Sequence, residues 1–121
     1  MLQKRLNTFV MRGSQVWEFA LETVPRVIRE LLAEHGLSPQ QLDLLILHQS
    51  NLRMIESLMS SLELPMDRTV TTIQEYGNTA AASIPITLER AGQKGLLGRG
   101  SRVVLCGFGG GLSWGAALLE W

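Results

Sequence analysis

Cysteine is nearly missing from this 121-residue sequence, which contains Cys106 alone. A single cysteine forms neither an internal disulfide nor a metal site built from several cysteines. An excess of charge of one sign is also missing, because eleven basic residues balance eleven acidic ones. This balance argues against a nucleic-acid-binding surface. No apolar run reaches the roughly 20 residues that span a bilayer, so we expect no membrane segment.

The N-terminal stretch MLQKRLNTFV lacks the apolar middle of a signal peptide. Together with the scarcity of cysteine, this feature predicts a cytoplasmic protein. The hydrophobic content of 45% is sufficient for a real core. We therefore expect residues 1–121 to form one domain.

Hydrophobic periodicity predicts alternating strands and helices. The predicted strands are Asn7–Met11, Leu44–Leu47, Thr69–Ile73, Arg102–Leu105 and Leu112–Leu119. The predicted helices run from a cap at Ser14 to about Glu34, with Gly36 as the stop, from Asn51 to Leu62, and from Thr79 to about Lys94. The run Leu44–Leu47 is apolar throughout, which indicates burial on both faces of a sheet. The order of elements predicts a layered α/β domain with a mixed sheet flanked by helices.

Polar or glycine-rich segments follow three of these predicted strands. His48 follows Leu44–Leu47 directly, Asn78 follows Thr69–Ile73, and the segment Gly107–Gly111, with four glycines, follows Arg102–Leu105. In such sheets, ligands bind outside the carboxyl ends of the strands. We expect these three segments to lie near one another.

This set of groups suits the stabilisation of a carbonyl oxygen. A neutral imidazole, a carboxamide and bare backbone N–H groups all donate hydrogen bonds without adding charge. Losing one donor to an oxyanion costs roughly 3–4 kcal/mol of barrier. No carboxylate adjoins His48 in sequence to make it an obvious proton-relay base. The alternative is structural, since such histidines and asparagines are often satisfied hydrogen-bonding groups and glycine clusters are often tight turns.

Three stretches resemble a known family: LHQSNLRMIE, YGNTAAASIP and GFGGGLSWGAALLEW. They are similar to the C-terminal signatures of β-ketoacyl-acyl carrier protein synthase III. This condensing enzyme initiates bacterial fatty acid synthesis and has a thiolase-like fold. The resemblance extends from about Phe9 to Trp121, and FVMRGSQVWEFA resembles the segment that begins the second half of the enzyme. It implies that residues 1–121 are the C-terminal domain, half of a thiolase-like fold.

The resemblance also implies roles for individual residues. His48 and Asn78 correspond to the histidine and asparagine that donate to the thioester oxygen of malonyl-acyl carrier protein. Gly110 corresponds to a glycine whose N–H forms a second oxyanion hole with the N–H of the nucleophilic cysteine.

Further residues correspond to the binding path of the substrates. Asn51 corresponds to a contact of the pantetheine arm, Gly13 and Trp17 to the tunnel mouth, and Arg53 to the docking site of the carrier protein. The implied substrates are acyl-CoA and malonyl-acyl carrier protein, with no cofactor or metal. The implied partners are acyl carrier protein, coenzyme A thioesters, a cysteine-bearing N-terminal half and a second copy of the chain, as a homo-oligomer.

The sequence departs from the family pattern in its missing nucleophile. In the family, the cysteine lies at a helix N-terminus in the first half, whereas Cys106 falls in a predicted buried strand and is expected to be a small core residue. We therefore expect the isolated chain not to form an acyl-enzyme.

Smaller departures concern the neighbours of the implied site. Leu47 and Ser50 replace a proline and an alanine of the family, and Glu56 and Glu63 follow Arg53, which predicts weaker steering of an acidic carrier protein. Two alternatives stay open: a non-catalytic module that binds acyl thioesters or carrier protein, and a related acyltransferase or polyketide-priming synthase. Half of a thiolase-like fold should also expose apolar surface and self-associate.

Overall fold

A computed structural model describes residues 10–121. The helices are α1 (Gly13–Glu34), α2 (Leu52–Ser61), α3 (Ile73–Tyr76) and α4 (Ser83–Gln93). The strands are β1 (Leu44–Leu47), β2 (Arg102–Gly109) and β3 (Ser113–Glu120). Short 3₁₀ turns cover Pro39–Gln41, Met66–Arg68 and Ala80–Ala82. The predicted strand Asn7–Met11 lies largely outside the described residues, and Val10 and Met11 have no regular structure.

The described strands form one three-stranded sheet in the order β1-β2-β3. β1 runs parallel to β2, with Leu47 opposite Cys106, and β2 runs antiparallel to β3. The predicted mixed sheet flanked by helices is therefore confirmed. All four residues of β1 are buried, as its continuous apolar sequence predicted.

The core lies on both faces of this sheet. Leu45, Leu47, Val104 and Cys106 belong to a cluster with the apolar faces of α1 and α2. We call this side the α1–α2 face. The alternate residues of β1 and β2, including Leu44, Ile46 and Val103, pack with α4 in a smaller cluster, which we call the α4 face. Because successive side chains of a strand point to opposite faces, one apolar run supplies both clusters.

α1 presents a buried stripe of Ala20, Val24, Ile28 and Leu32 at helical spacing. It ends where predicted, with Gly36 in the left-handed region at φ +66°. Its predicted start is wrong by two positions, because the N-cap is Arg12 and not Ser14. The helix begins at Gly13, and no side chain caps it, so Ser14 lies inside the first turn.

The predicted strand Thr69–Ile73 is wrong. Thr69 donates its hydroxyl proton to the carbonyl of Leu45 at 2.6 Å, and the N–H of Thr72 donates to Gln49 Oε1 at 2.9 Å. Side-chain hydrogen bonds therefore take the place of a strand ladder. Ile73 already begins α3.

Two predicted boundaries also move. β2 extends through Gly109, because Gly107, Phe108 and Gly109 pair with Gly115, Trp114 and Ser113 of β3. The predicted glycine loop is thereby reduced to residues 110–112. The predicted helix from Thr79 starts later. Ala80–Ala82 form a 3₁₀ turn, Ala80 has left-handed backbone at φ +52°, and α4 starts at Ser83.

Candidate active site

His48 lies at the carboxyl end of β1. Its backbone N–H donates to the carbonyl of Cys106 at 2.9 Å, which extends the parallel ladder by one residue. The buried strand therefore ends at the edge of the sheet, and the following side chain leaves the core there. The predicted placement of His48 at a strand end is confirmed.

The imidazole of His48 is held on two sides and is half-buried. Its Nδ1 lies 2.7 Å from Ser83 Oγ. The ring of Phe108 meets it edge-on, with centroids 5.3 Å apart and planes at 85°. Burial lowers the pKa of His48 below its ordinary value of 6.5, because desolvation disfavours the charged ring. The ring is therefore neutral at pH 7, and Nε2 is the nitrogen available to a ligand.

A buried polar network supports this ring and was not predicted from the sequence. Ser83 and Gln49 are each 1% exposed. Ser83 Oγ accepts from the N–H of Gln49 at 3.3 Å. The Gln49 carboxamide accepts from the N–H of Thr72 at 2.9 Å and donates to the carbonyl of Leu47 at 2.9 Å. The sequence feature that could have indicated this network is the spacing of Ser83 and Thr87, two hydroxyl residues that lie four positions apart on one face of a helix.

Gly107 allows α4 to approach His48. A Cβ at this position would lie 3.3 Å from Cδ1 of Ile84, which is a tight contact. The first turn of α4 can lie against β2 because Gly107 has no side chain. This close approach sets Ser83 beside the imidazole.

The prediction that Asn78 follows a strand is wrong. Asn78 follows α3 and Gly77. Its Oδ1 accepts from the N–H of Ala80 at 2.9 Å, and the side chain is exposed. This bond turns the chain into α4 and leaves the amide N–H₂ group to donate elsewhere. Asn78 and Ser83 are only five positions apart, about 10 Å at a 3₁₀ rise. Asn78 and His48 are thus tied to the same end of α4.

An ion pair fastens the turn that carries Asn78. The guanidinium of Arg90 donates to both carboxylate oxygens of Glu75, at 2.6 and 2.8 Å, and to the hydroxyl of Tyr76 at 3.1 Å. The hydrogen bond from Arg90 lowers the pKa of the Glu75 carboxyl. α3 is thereby joined to the outer side of α4.

Gly110 lies in the turn between β2 and β3 and is exposed. The turn extends past the edge at which His48 emerges, because β1 ends opposite Cys106. Three residues of strand span about 10 Å, so Gly110 lies at the same edge as Gly107 but farther out. Its role as an oxyanion donor stays a prediction.

The other predicted residues lie apart from the His48–Ser83 contact. Asn51 caps α2, with Oδ1 accepting from the N–H of Met54 at 2.9 Å. Arg53 is exposed in the first turn of that helix. Gly13 begins α1, and Trp17, one turn later, packs partly buried against the α1–α2 face. Their predicted contacts with substrate and carrier protein stay predictions.

Cys106 is fully buried on the α1–α2 face. Burial raises the pKa of its thiol to about 12. The thiolate is the nucleophilic form, so Cys106 is not a nucleophile at neutral pH. Its predicted core position is confirmed.

Two kinds of feature are absent from residues 10–121. Within that range, no three His, Cys, Asp or Glu side chains form a group that could hold a metal ion. No helix of the same range combines the length and the apolar character that crossing a membrane requires.

Comparisons with known proteins agree with one another. The family model for the C-terminal part of 3-oxoacyl-[acyl-carrier-protein] synthase III matches residues 32–121. The β-ketoacyl-[acyl-carrier-protein] synthase III of Pyropia yezoensis is 44% identical over 115 residues, which cover 95% of this chain and 36% of that protein.

Solved structures give the same result. The 3-oxoacyl-[acyl-carrier-protein] synthase III of Aquifex aeolicus VF5 superposes with a TM-score of 0.93 at 38% identity, over 98% of this chain and 38% of that one. The priming β-ketosynthase of the R1128 polyketide biosynthetic pathway superposes with a TM-score of 0.83 at 35% identity, over 92% of this chain and 34% of that one. The chain spans about a third of the length of the curated relatives it matches.

Proposed function

Because the chain belongs to the family of 3-oxoacyl-[acyl-carrier-protein] synthase III C-terminal domains, we propose that it supplies the oxyanion-stabilising part of a condensing enzyme. The reaction is a decarboxylative Claisen condensation of an acyl-CoA with malonyl-acyl carrier protein, which initiates fatty acid synthesis. The observation that carries this proposal is the neutral imidazole of His48 at the end of β1, fastened through Ser83 to the helix that follows Asn78.

In the proposed reaction, a cysteine of the N-terminal half first takes the acyl group as a thioester and releases coenzyme A. The bond between the malonyl carboxylate and its α-carbon then breaks, CO₂ leaves, and the electron pair forms a thioester enolate. His48 and Asn78 donate hydrogen bonds to the enolate oxygen. Each such donor contributes roughly 3–4 kcal/mol, because it is aimed in advance at developing charge.

The enolate carbon attacks the carbonyl of the acyl-cysteine. A carbon–carbon bond forms, and the oxygen of the tetrahedral intermediate takes the negative charge. The N–H of Gly110 stabilises this charge, together with the N–H of the cysteine. The intermediate collapses when the carbon–sulfur bond breaks and the cysteine thiolate leaves.

The exposed apolar residues around the site support a partner half. Trp114 is 50% exposed and Leu112 is 44% exposed, and both lie in or next to the turn that contains Gly110. Large exposed apolar side chains near a functional site indicate an interaction surface. We assign this surface to the cysteine-bearing half, and we expect the isolated chain to self-associate.

The substrate path follows from the remaining predicted residues. Asn51, with its amide N–H₂ group free of the capping bond, contacts the pantetheine arm, and Gly13 and Trp17 line the tunnel mouth. Arg53 docks the acidic carrier protein through charge attraction. The assembled enzyme is a cytoplasmic homo-oligomer that needs no cofactor besides its thioester substrates.

One observation favours a second candidate. Cys106 is buried with its thiol pKa raised to about 12, so the described residues contain no cysteine nucleophile. A module that binds acyl thioesters or carrier protein without catalysis is therefore the alternative. Within the same family, the similarity to a polyketide-priming ketosynthase also leaves room for a different acyl acceptor.

A chimera tests the proposal. Residues 13–121 replace the C-terminal third of the Pyropia yezoensis relative, and condensation of acyl-CoA with malonyl-acyl carrier protein is measured. His48→Ala should lower kcat by roughly 10² to 10³. The matched control is His35→Ala, at the exposed end of α1, which should leave kcat unchanged. An active chimera whose His48→Ala variant still decarboxylates malonyl thioester at the full rate contradicts the proposal. An inactive but folded chimera, with acyl-CoA binding to the isolated chain, supports the alternative.

A further inference from the structure

We propose that Ser83 is a positioning residue that fixes the tautomer of His48. Its hydroxyl donates to Nδ1, so that the neutral imidazole carries its proton on Nε2 and presents it to the site. The catalytic consequence rests on the proposed function of His48, whereas the tautomer itself does not.

The direction of the bond follows from the hydrogen-bonding capacity of Ser83. A serine hydroxyl has one proton to donate and two lone pairs that accept. One lone pair accepts from the N–H of Gln49 at 3.3 Å. Among the hydrogen bonds of residues 10–121, the only acceptor for the proton of this hydroxyl is His48 Nδ1, at 2.7 Å. The opposite direction would leave a buried hydroxyl proton without a partner, which is unfavourable.

The rest of the network keeps the Ser83 hydroxyl available. Thr87 Oγ1 donates to the carbonyl of Ser83 at 2.7 Å. Its single proton is thereby used, so the contact of 2.8 Å between the two threonine hydroxyls must run from Thr72 to Thr87. The hydroxyl protons of Thr72 and Thr87 therefore both have acceptors other than Ser83 Oγ.

His35 provides an internal reference with the opposite tautomer. Its Nδ1 lies 2.9 Å from the carbonyl oxygen of Leu31. A carbonyl only accepts, so neutral His35 must carry its proton on Nδ1. The sequence contains just these two histidines. One spectrum of the chain therefore reports both tautomers.

The test is a long-range ¹H–¹⁵N correlation spectrum of the ¹⁵N-labelled 121-residue chain, recorded at a pH well above the ordinary histidine pKa. We expect His48 to carry its proton on Nε2 and His35 on Nδ1. Ser83→Ala should convert His48 to a mixture of tautomers, and Ser83→Thr, which keeps the hydroxyl, should restore Nε2–H. Thr87→Val removes a buried hydroxyl of the same network without touching the ring, and should leave the tautomer unchanged.

A wild-type spectrum with the His48 proton on Nδ1 overturns the inference, even if Ser83→Ala fails to fold. An unchanged tautomer in a folded Ser83→Ala variant overturns it as well.

In an active chimera, Ser83→Ala should lower kcat for decarboxylation by roughly 10-fold to 100-fold with little change in KM, as for other groups that orient a histidine. If wild-type His48 carries Nε2–H, a folded Ser83→Ala variant keeps that tautomer and His48→Ala is inactive, only the Ser83 inference fails. If the tautomer is as expected while His48→Ala keeps full activity, only the proposed function fails.

Discussion

Adjacent residues of β1 enter two regions of different chemistry. Leu45 and Leu47 join the cluster of the α1–α2 face, where long apolar side chains of both helices are fully buried. Leu44 and Ile46 join the smaller cluster of the α4 face. On the α4 side of the molecule lie the buried polar residues Gln49, Thr72, Ser83 and Thr87.

The difference indicates a division of roles. Apolar burial on the α1–α2 face stabilises the fold in proportion to the area removed from water. The polar network at α4 has a strict requirement for partners, and it orients the groups at the edge of the sheet. We therefore expect substitutions on the α1–α2 face to cost more stability than substitutions in the network, and we expect Ser83, which contacts the ring, to act on the geometry of His48.

The largest expected effect concerns Cys106, on the α1–α2 face. Burial raises its thiol pKa from 9.0 to about 12, so the native thiolate fraction is lowered about 1,000-fold, and access is blocked in addition. Reaction with a thiol reagent at pH 8 should be slow in the native chain and fast in urea. If the reagent labelled Cys106 in the native chain as fast as in urea, the α1–α2 face would be accessible to solvent, and this prediction would be wrong.

The next effect is a loss of stability in the same region. Leu58 is fully buried on α2, and Leu58→Ala should lower the free energy of unfolding by about 2–5 kcal/mol. The matched variant is Leu88→Ala on α4, where the side chain is partly buried and the loss should be smaller. Urea unfolding measures both. An equal or larger loss in Leu88→Ala would remove the proposed difference between the faces.

A smaller effect is expected in the polar network. Thr87→Val leaves the carbonyl of Ser83 and the hydroxyl of Thr72 without their partner, which should cost about 1–3 kcal/mol. Thr71→Val, at a half-exposed hydroxyl, should change stability by less than about 0.5 kcal/mol. Thermal or urea unfolding compares the pair, and a Thr87→Val variant as stable as the wild type would show that the network contributes little.

The smallest effect is the pH dependence of stability. The pKa of His48 is lowered in the folded state, so near and below pH 6.5 the unfolded chain binds more protons than the folded one. Stability should therefore decrease as the pH falls from 7 through 6.5 and should level off below the folded pKa. Urea unfolding at a series of pH values should show a weaker slope in His48→Gln, with His35→Gln as the control. An unchanged slope in His48→Gln would contradict the burial of the ring.

The sequence predicted the features that depend on local pattern. The continuous apolarity of Leu44–Leu47 predicted a strand buried on both faces, and the position of His48 after it predicted a group at the sheet edge. The C-terminal end of α1 followed from Gly36, which can adopt the left-handed conformation.

The features that it missed depend on contacts between distant segments. Thr69–Ile73 has the composition of a strand, but β-branched residues are common wherever a pleated, half-buried surface fits. In this chain, the hydrogen bonds of Thr69 to Leu45 and of Thr72 to Gln49 hold the segment in a conformation that is not a strand. Glycines 107 and 109 resemble a loop in sequence and are strand residues because β3 pairs with them. Ser83 stands in a run of small residues, and only its neighbour across the fold reveals its contact with His48.

The most direct measurement of the central claim is a double-mutant cycle on malonyl-thioester decarboxylation in the active chimera, with His48→Ala, Asn78→Ala and the double variant. If both side chains donate to one enolate oxygen, each single variant should lose roughly 10² to 10³ in kcat. The double variant should lose clearly less than the product of the two losses, because groups that act as a unit are not additive. A full rate in either single variant, or two losses that multiply in full, would contradict the claim that His48 and Asn78 act on the same atom.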